Sequence, residues 1–451
     1  MKGFGENKLA SNRNNPKNSA KIDKDQIIKQ AFKFHSEGNI LEAVKCYKYC
    51  ISRGFNDHRI YNNYGLILRS ISRFREAEAC LRKAVDINPE FASAYSNLGT
   101  VLRNIGKLKE AESCQRKAIE IDKDFAMAYS NLGNLLIDIG KLEEAELYLR
   151  KAIELKPTDK NFQANLINLL TLIKPEKIKL NNLFLINEEF RSIDISKLGD
   201  IDISDAKAIR VYKDGLDIYK KYNLNLETPF LQIYKKNKKF LNCKRHMFLF
   251  NEHKLIPKFC FECYKVQIEV KSVIELIKLF IVFNSFKIKN KNSRKCMIET
   301  RKNVTGFYKG LIYCSSLDEA IEISEEINIV IQRNIRTDLI SNVKRGCSEY
   351  GLQFPQYKEI SLSGKQPMDY KKNWEDIENE FDKTNNDWGK SNPSIEGFNL
   401  NNFLIMRNWI AYARKIGDKS VNKITHEEIK GSKEIRNLNR NFIYKNLQIK
   451  D

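Results

Sequence analysis

The chain has 451 residues, 42% of them hydrophobic, and a formal net charge of +21. It is too long for one small domain and apolar enough for real cores, so two or three folded units are expected. The charge raises nucleic acid and anionic surfaces as partners, but the excess is spread along the chain, and a composition rich in Lys, Asn and Ile gives the same balance through base bias alone.

The N-terminal stretch MKGFGENKLASNRNNPKNSAK is polar and basic and holds no apolar h-region. A disordered tail over residues 1–23 is expected there, neither a signal peptide nor a membrane anchor. The most apolar later stretch, Val273 to Phe283, contains Glu275 and Lys278 and is too short to span a bilayer. A cytoplasmic location without a membrane partner is therefore expected. Its ten cysteines would there be reduced thiols rather than a disulfide framework.

The first third repeats. Phe91-Ala-Ser-Ala-Tyr-Ser-Asn-Leu-Gly99 recurs 34 residues later as Phe125-Ala-Met-Ala-Tyr-Ser-Asn-Leu-Gly133, and Gly65 lies 34 residues before Gly99. Gly-Lys-Leu-x-Glu-Ala-Glu occurs at Gly106 and Gly140, with the degenerate Ser72-Arg-Phe-Arg-Glu-Ala-Glu78 one period earlier. Ala77, Ala111 and Ala145 form one column and Ala84, Ala118 and Ala152 another; Pro89 and Pro157 close two units. Small residues let paired helices approach closely. Gly106 and Gly140 suit the turn between helices, and proline ends the second helix because it cannot continue the hydrogen-bond ladder.

Period, small columns and closing proline together resemble the tetratricopeptide repeat (TPR) family over residues 24–159, as four units. The first unit departs most: Ala31 replaces the first-helix glycine, although Gly38, Asn39 and Ala43 keep the turn. The resemblance implies an all-α superhelical solenoid, because one unit cannot bury its apolar face alone. A capping helix is expected over Asn161 to Lys174. It further implies that the first helices line a concave groove, where Asn63, Asn97 and Asn131 share a column suited to the backbone of an extended peptide. Arg69 and Arg103, in a second column, would add positive charge. Cys46, Cys80 and Cys114 share a column too and read as packing thiols. The repeat style and base composition also resemble TPR proteins of marine picocyanobacteria, which implies no chemistry for residues 176–451.

Beyond Pro175 the period vanishes. Asn187 to Arg191, Ser204 to Lys213 and Asp217 to Tyr222 read as short helices of a connector. Phe259 to Val270 alternates as a half-buried strand. Ser272-Val-Ile-Glu275 is a capping box opening a helix to about Phe286, and Ser316-Leu-Asp-Glu319 opens another to about Arg333. Arg294 to Arg301 and Phe307 to Cys314 are strand-like, with Asn303-Val-Thr-Gly306 as the turn between them, and Val343 to Phe354 reads as a last strand. The order β-α-β-β-α-β predicts a smaller α+β domain with the ferredoxin-like arrangement. An apolar-faced helix from Leu400 to Ile416 follows. The organisation expected is a tail over 1–23, four repeats and a cap over 24–174, a helical connector over 175–240, an α+β domain over 241–358, and a helical segment with tail over 359–451.

The RNA-recognition motif shares this topology, but the third strand offers Lys309-Gly-Leu-Ile-Tyr-Cys314, with Leu311 where a stacking aromatic is required. Nucleic acid is therefore not the expected partner. Ser363-Gly-Lys365 lacks the earlier glycine of a phosphate loop.

Cys243-x2-His246 followed by Cys260-x2-Cys263 has the soft ligands and spacing of a structural zinc site. Against zinc, residues three apart in a strand point to opposite faces, so Cys260 and Cys263 need a bend, which Pro257 allows. Packing thiols, a structural zinc and a redox Cys-x-x-Cys all stay open. Lys344-Arg-Gly-Cys-Ser-Glu349, with Glu299 and Arg301, reads as a solvated sheet face or a small charged pocket. The function expected is a scaffold or adaptor that holds a protein or peptide in the repeat groove without a cofactor. The alternative is a transferase or metal-dependent enzyme whose repeat arm presents substrate.

Overall fold

A computed structural model describes residues 24–176, 181–195, 202–237, 243–301, 304–362, 365–384 and 392–438. The expected tail over 1–23, Asn303, Ser363 and the C-terminal KNLQIKD lie outside the described residues. The chain divides into two compact units between Val101 and Leu102.

In the first unit, α1 (Lys24–Ser36) pairs with α2 (Ile40–Ser52) and α3 (His58–Ser70) with α4 (Phe74–Ile87); α5 (Ala92–Asn104) follows. The alanine columns are sealed: Ala31, Ala43, Ala77 and Ala84 are all fully buried, beside Tyr47 and Leu81. Asp57 caps α3 by accepting from the Arg59 amide at 2.9 Å.

The second unit continues the helical repeat with α6 (Leu108–Ile121), α7 (Ala126–Ile139), α8 (Leu142–Leu155) and α9 (Lys160–Leu169). Asp159 caps α9, and Phe162 of α9 packs on Ala126 and Ala152. The expected capping helix is thus present, but it ends at Leu169, five residues short of Lys174.

Next come α10 (Asn182–Arg191) and α11 (Asp205–Lys221). The sequence suggested two short helices across the latter span. It is one helix because Gly215 lies under aromatic rings: a Cβ there would stand 2.7 Å from Phe403 and 3.1 Å from Phe190. The glycine serves packing rather than breaking the helix.

Five antiparallel strands then build one sheet: β1 (Gln232–Lys235), β2 (Tyr264–Val270), β3 (Arg294–Ile298), β4 (Tyr308–Cys314) and β5 (Asn342–Arg345), in the spatial order β1-β3-β4-β2-β5. Helix α12 (Cys243–His253) and the short α13 (Lys258–Glu262) precede β2. Helix α14 (Val273–Ser285) joins β2 to β3, and α15 (Leu317–Asn334) joins β4 to β5. Both capping boxes form: Ser272 accepts from the Glu275 amide at 3.2 Å and Ser316 from the Glu319 amide at 3.1 Å. Val266, Ile268 and Ile312 are fully buried.

Two strand boundaries differ from expectation. Phe259 to Glu262 is not strand, because the chain turns helically after Pro257 and pairing starts at Tyr264. The last strand stops at Arg345 rather than Phe354, since Gly346 turns away to bond the Cys263 carbonyl at 2.8 Å. Two 3-10 turns, Glu349–Leu352 and Pro355–Lys358, follow.

Helix α16 (Lys372–Thr384) precedes α17 (Leu400–Ile416), whose bounds match the sequence reading. Asn399 caps α17 at its start. Short helices α18 (Val421–Ile424) and α19 (Lys433–Arg436) finish the described chain. Helix α17 is central: Trp409 is fully buried and donates to the Leu231 carbonyl at 2.9 Å, and Tyr412 donates to the Glu299 carbonyl at 2.7 Å. Phe403 stacks on Phe190 and Tyr212. No helix among the described residues is long and apolar enough to cross a membrane.

Candidate functional site

The repeat side chains singled out by their columns lie on first helices of their pairs, and each unit arranges its own. In the first unit, Asn97 of α5 donates to Asn62 Oδ1 at 2.9 Å, and Asn62 donates to Asn63 Oδ1 at 3.1 Å. Asn63 and Asn97 are half-buried, whereas Asn62 is buried. Asn62 was not singled out in the sequence; it holds the amides of its two neighbours in fixed orientations. Arg69 is half-buried on α3, and burial lowers its pKa.

In the second unit, Asn131 is half-buried on α7. Arg103 donates from Nε to Asp138 Oδ2 at 2.6 Å. Lys244, on the first turn of α12, reaches the same carboxylate at 3.0 and 3.2 Å. Burial pushes the Asp138 carboxyl up, but Arg103 and Lys244 outweigh it and hold the pKa below the ordinary value. Nearby, Asn392 donates to the Ile137 carbonyl at 3.1 Å. Neither Asp138 nor Lys244 carries a signal that sequence periodicity detects.

The four expected metal ligands lie on three elements. Cys243 opens α12 and His246 sits one turn on; Cys260 lies within α13 and Cys263 just ahead of β2. Their surroundings differ. His246 is buried and stacks on Phe259 at 5.3 Å. Burial first, and Arg245 second, push its pKa down to about 4. Cys260 Sγ lies 3.5 Å from Tyr350 Oη. Cys263 Sγ packs against Gly346 so closely that a Cβ there would sit 2.3 Å away. Among the described residues no group of three or more His, Cys, Asp or Glu side chains is placed to hold a metal ion.

What the structure adds is Cys347, in the turn after β5. The neighbouring Cys243 and Cys260 thiols hold its pKa below the usual thiol range. Lys265 and His246 favour the thiolate further. Cys260 and Cys243 shift upward correspondingly. Cys296 and Cys314 are buried strand residues whose pKa values burial raises. The charged residues expected beside this turn do meet: Arg301 bonds Glu299 at 2.8 Å and Glu349 at 2.7 Å, while Lys309 bonds Glu299 at 3.2 Å. Lys295, over the Tyr234 and Tyr313 rings, is lowered to about 8 by burial and then by Lys265 and Arg301.

No curated protein matches the chain. Among solved structures, the first TPR of Spaghetti bound to an HSP90 peptide is 23% identical, covering 25% of this chain and 90% of that one, with a TM-score of 0.24. MamA (41-end) from Desulfovibrio magneticus RS-1 is 20% identical over 32% of this chain and 82% of its own, with a TM-score of 0.30. A further MamA structure is 19% identical over 45% and 97%, with a TM-score of 0.31. Models of the tetratricopeptide repeat match residues 58–91 and 90–158, so this stretch of the chain carries tetratricopeptide repeats.

Proposed function

We propose that the protein is an interaction scaffold whose repeats hold an extended peptide or partner segment. Asn63, Asn97 and Asn131 would bond the ligand backbone, and Arg69 and Arg103 would favour an acidic ligand. The observation that carries this reading is the Asn97-Asn62-Asn63 run, which fixes half-buried amides on a rigid helical surface. We read the β2–β5 sheet as ferredoxin-like, supported by its antiparallel order and the helices between β2 and β3 and between β4 and β5. It serves as a second binding surface. A cytoplasmic setting accords with ten cysteines that form no disulfide.

The test is capture of binding partners by immobilised full-length protein. Asn97→Ala combined with Asn131→Ala should abolish capture while leaving the circular dichroism spectrum and melting curve unchanged. Undiminished capture by the folded double variant would exclude the asparagine columns as the ligand surface.

A further inference from the structure

Arg294 opens β3 and is only 4% exposed. Its Nη1 donates to the Phe283 carbonyl at 2.8 Å and to the Phe286 carbonyl at 2.7 Å, so one arm of the guanidinium caps the end of α14. Its Nε is buried and has no hydrogen-bond partner. Burial pushes the pKa down to about 10, with Glu396 opposing the shift, so the group stays charged at neutral pH. A buried cation with a donor left over is costly unless something negative meets it.

The same residue lines a cavity bounded by β1, β3, the end of α14, the start of α17 and the segment 394–397. The cavity holds about 30 Å³, where a single water needs about 10–15 Å³. That is room for a group of a few heavy atoms and excludes a nucleotide or a sugar. Among the described residues lining it, Lys235, Arg294 and Lys295 are cations and Glu396 is the one acid. Glu396 has 78% of its side chain exposed and is already paired with Lys235 at 3.3 Å.

Asn399 and Asn402 bring the N-terminus of α17 to the same cavity. Two of its first amides are taken, Leu400 bonding Asn187 Oδ1 at 3.2 Å and Asn402 bonding Asn399 Oδ1 at 3.0 Å. The helix dipole still favours a negative charge there. The wall at 394–397 is tied in place: the Ser394 amide bonds the Lys236 carbonyl at 3.1 Å and the Ile395 amide the Thr171 carbonyl at 2.9 Å.

We propose that this cavity is a binding site for a small carboxylate anion, of the size of formate or acetate, held by Arg294. The Nε edge of a guanidinium presents parallel donors that match a carboxylate, and Nε is the atom left over here. The bound anion neutralises the buried charge that the two carbonyls only solvate. Glu396 draws on the same positive field and so weakens the affinity for a second negative charge.

The experiment follows formate by saturation-transfer NMR on the full chain, at ionic strength held constant with sodium sulfate. Transfer should saturate with formate concentration, and phosphate, too large for the cavity, should not compete. Arg294→Met, shown to be folded by circular dichroism, should lose the saturable transfer. Glu396→Gln changes an exposed side chain and should lower the formate dissociation constant several-fold. This second variant keeps the test decisive where Arg294→Met fails to fold. Absent or non-saturable transfer would overturn the proposal, as would undiminished transfer in folded Arg294→Met, which would put formate on surface lysines. Competition by phosphate, or a dissociation constant that Glu396→Gln leaves unchanged or raises, would overturn it too.

Discussion

Lys244 donates to both carboxylate oxygens of Asp138, at 3.2 and 3.0 Å, and so ties the first turn of α12 to a repeat helix. Arg103 reaches the same carboxylate in a less exposed position, with 28% of its side chain accessible against 67% for Lys244. Exposed pairs contribute little, about 0.2–1 kcal/mol, because water screens them and two long side chains must be ordered. Lys244→Ala is therefore expected to cost less than about 1 kcal/mol. Asp138→Ala removes both pairings, leaves Arg103 without its acceptor, and should cost about 2 kcal/mol or more. Denaturant midpoints of the two variants and their double variant give the coupling. Equal losses for both single variants would show that Arg103 contributes nothing through Asp138.

Removing the carboxylate of Glu299 should be among the most damaging single changes in the second unit. The residue is 1% exposed and neutralises Lys309, itself 3% exposed, as well as Arg301. Burial alone would raise its pKa, but Arg301 and Lys309 outweigh that and hold it below the ordinary value. Glu299→Ala strands the Lys309 ammonium in the interior, where breaking a buried pair costs about 3–5 kcal/mol. The pair Glu299→Leu with Lys309→Met should recover much of the loss, since no buried charge is then left alone. A double variant no more stable than Glu299→Ala would contradict this account.

The repeats were legible because their signal is periodic. The alanine columns, Gly133 and the turn residues each recur at the same spacing, and local physics demands them at every recurrence. The two capping boxes and the bounds of α17 were legible for a related reason: they are decided within one helical turn of sequence. Features set at long range were not. Alternation through Cys260 and Tyr264 suggested one continuous strand, but Pro257 and the pairing register of β2 divide that stretch into helix and strand. The four residues of β1 carry too little pattern to register. Cys347 stood out in the sequence only as part of a polar strand entry, because its partners lie far away at Cys243 and Cys260. Asn62 and Asp138 gain their roles from a neighbouring helix, which periodicity does not report.

Gly133 tests whether the small column is a packing requirement. A Cβ there would meet Leu149 Cγ at 2.6 Å and Cδ2 at 2.7 Å, with the Ala145 carbonyl at 3.3 Å. Helix propensity alone would make alanine better than glycine by about 1 kcal/mol. Overpacking works against it, typically by about 1–3 kcal/mol. Gly133→Ala is expected to lower the melting temperature. Leu149→Ala in the same chain should make the Gly133→Ala change neutral or favourable, because the obstructing branch is gone. A higher melting temperature for Gly133→Ala alone would mean that α8 retreats without penalty.

His246 makes acid destabilise the second unit. Burial and Arg245 hold its pKa at about 4, against 6.5 for the free side chain. The unfolded chain therefore binds more protons than the folded one between these two values. Stability is full above pH 6.5 and declines as pH falls toward 4, by up to about 3 kcal/mol for the whole shift. Below pH 4 both states are protonated and this contribution stops changing. His246→Phe keeps an aromatic ring against Phe259 and abolishes the titration. Unfolding midpoints at pH 7, 5.5 and 4.5 should fall more steeply for the native protein than for the variant. Parallel falls would show that other groups, chiefly carboxylates such as Asp138 and Glu299, account for the acid sensitivity, and that His246 charges without cost.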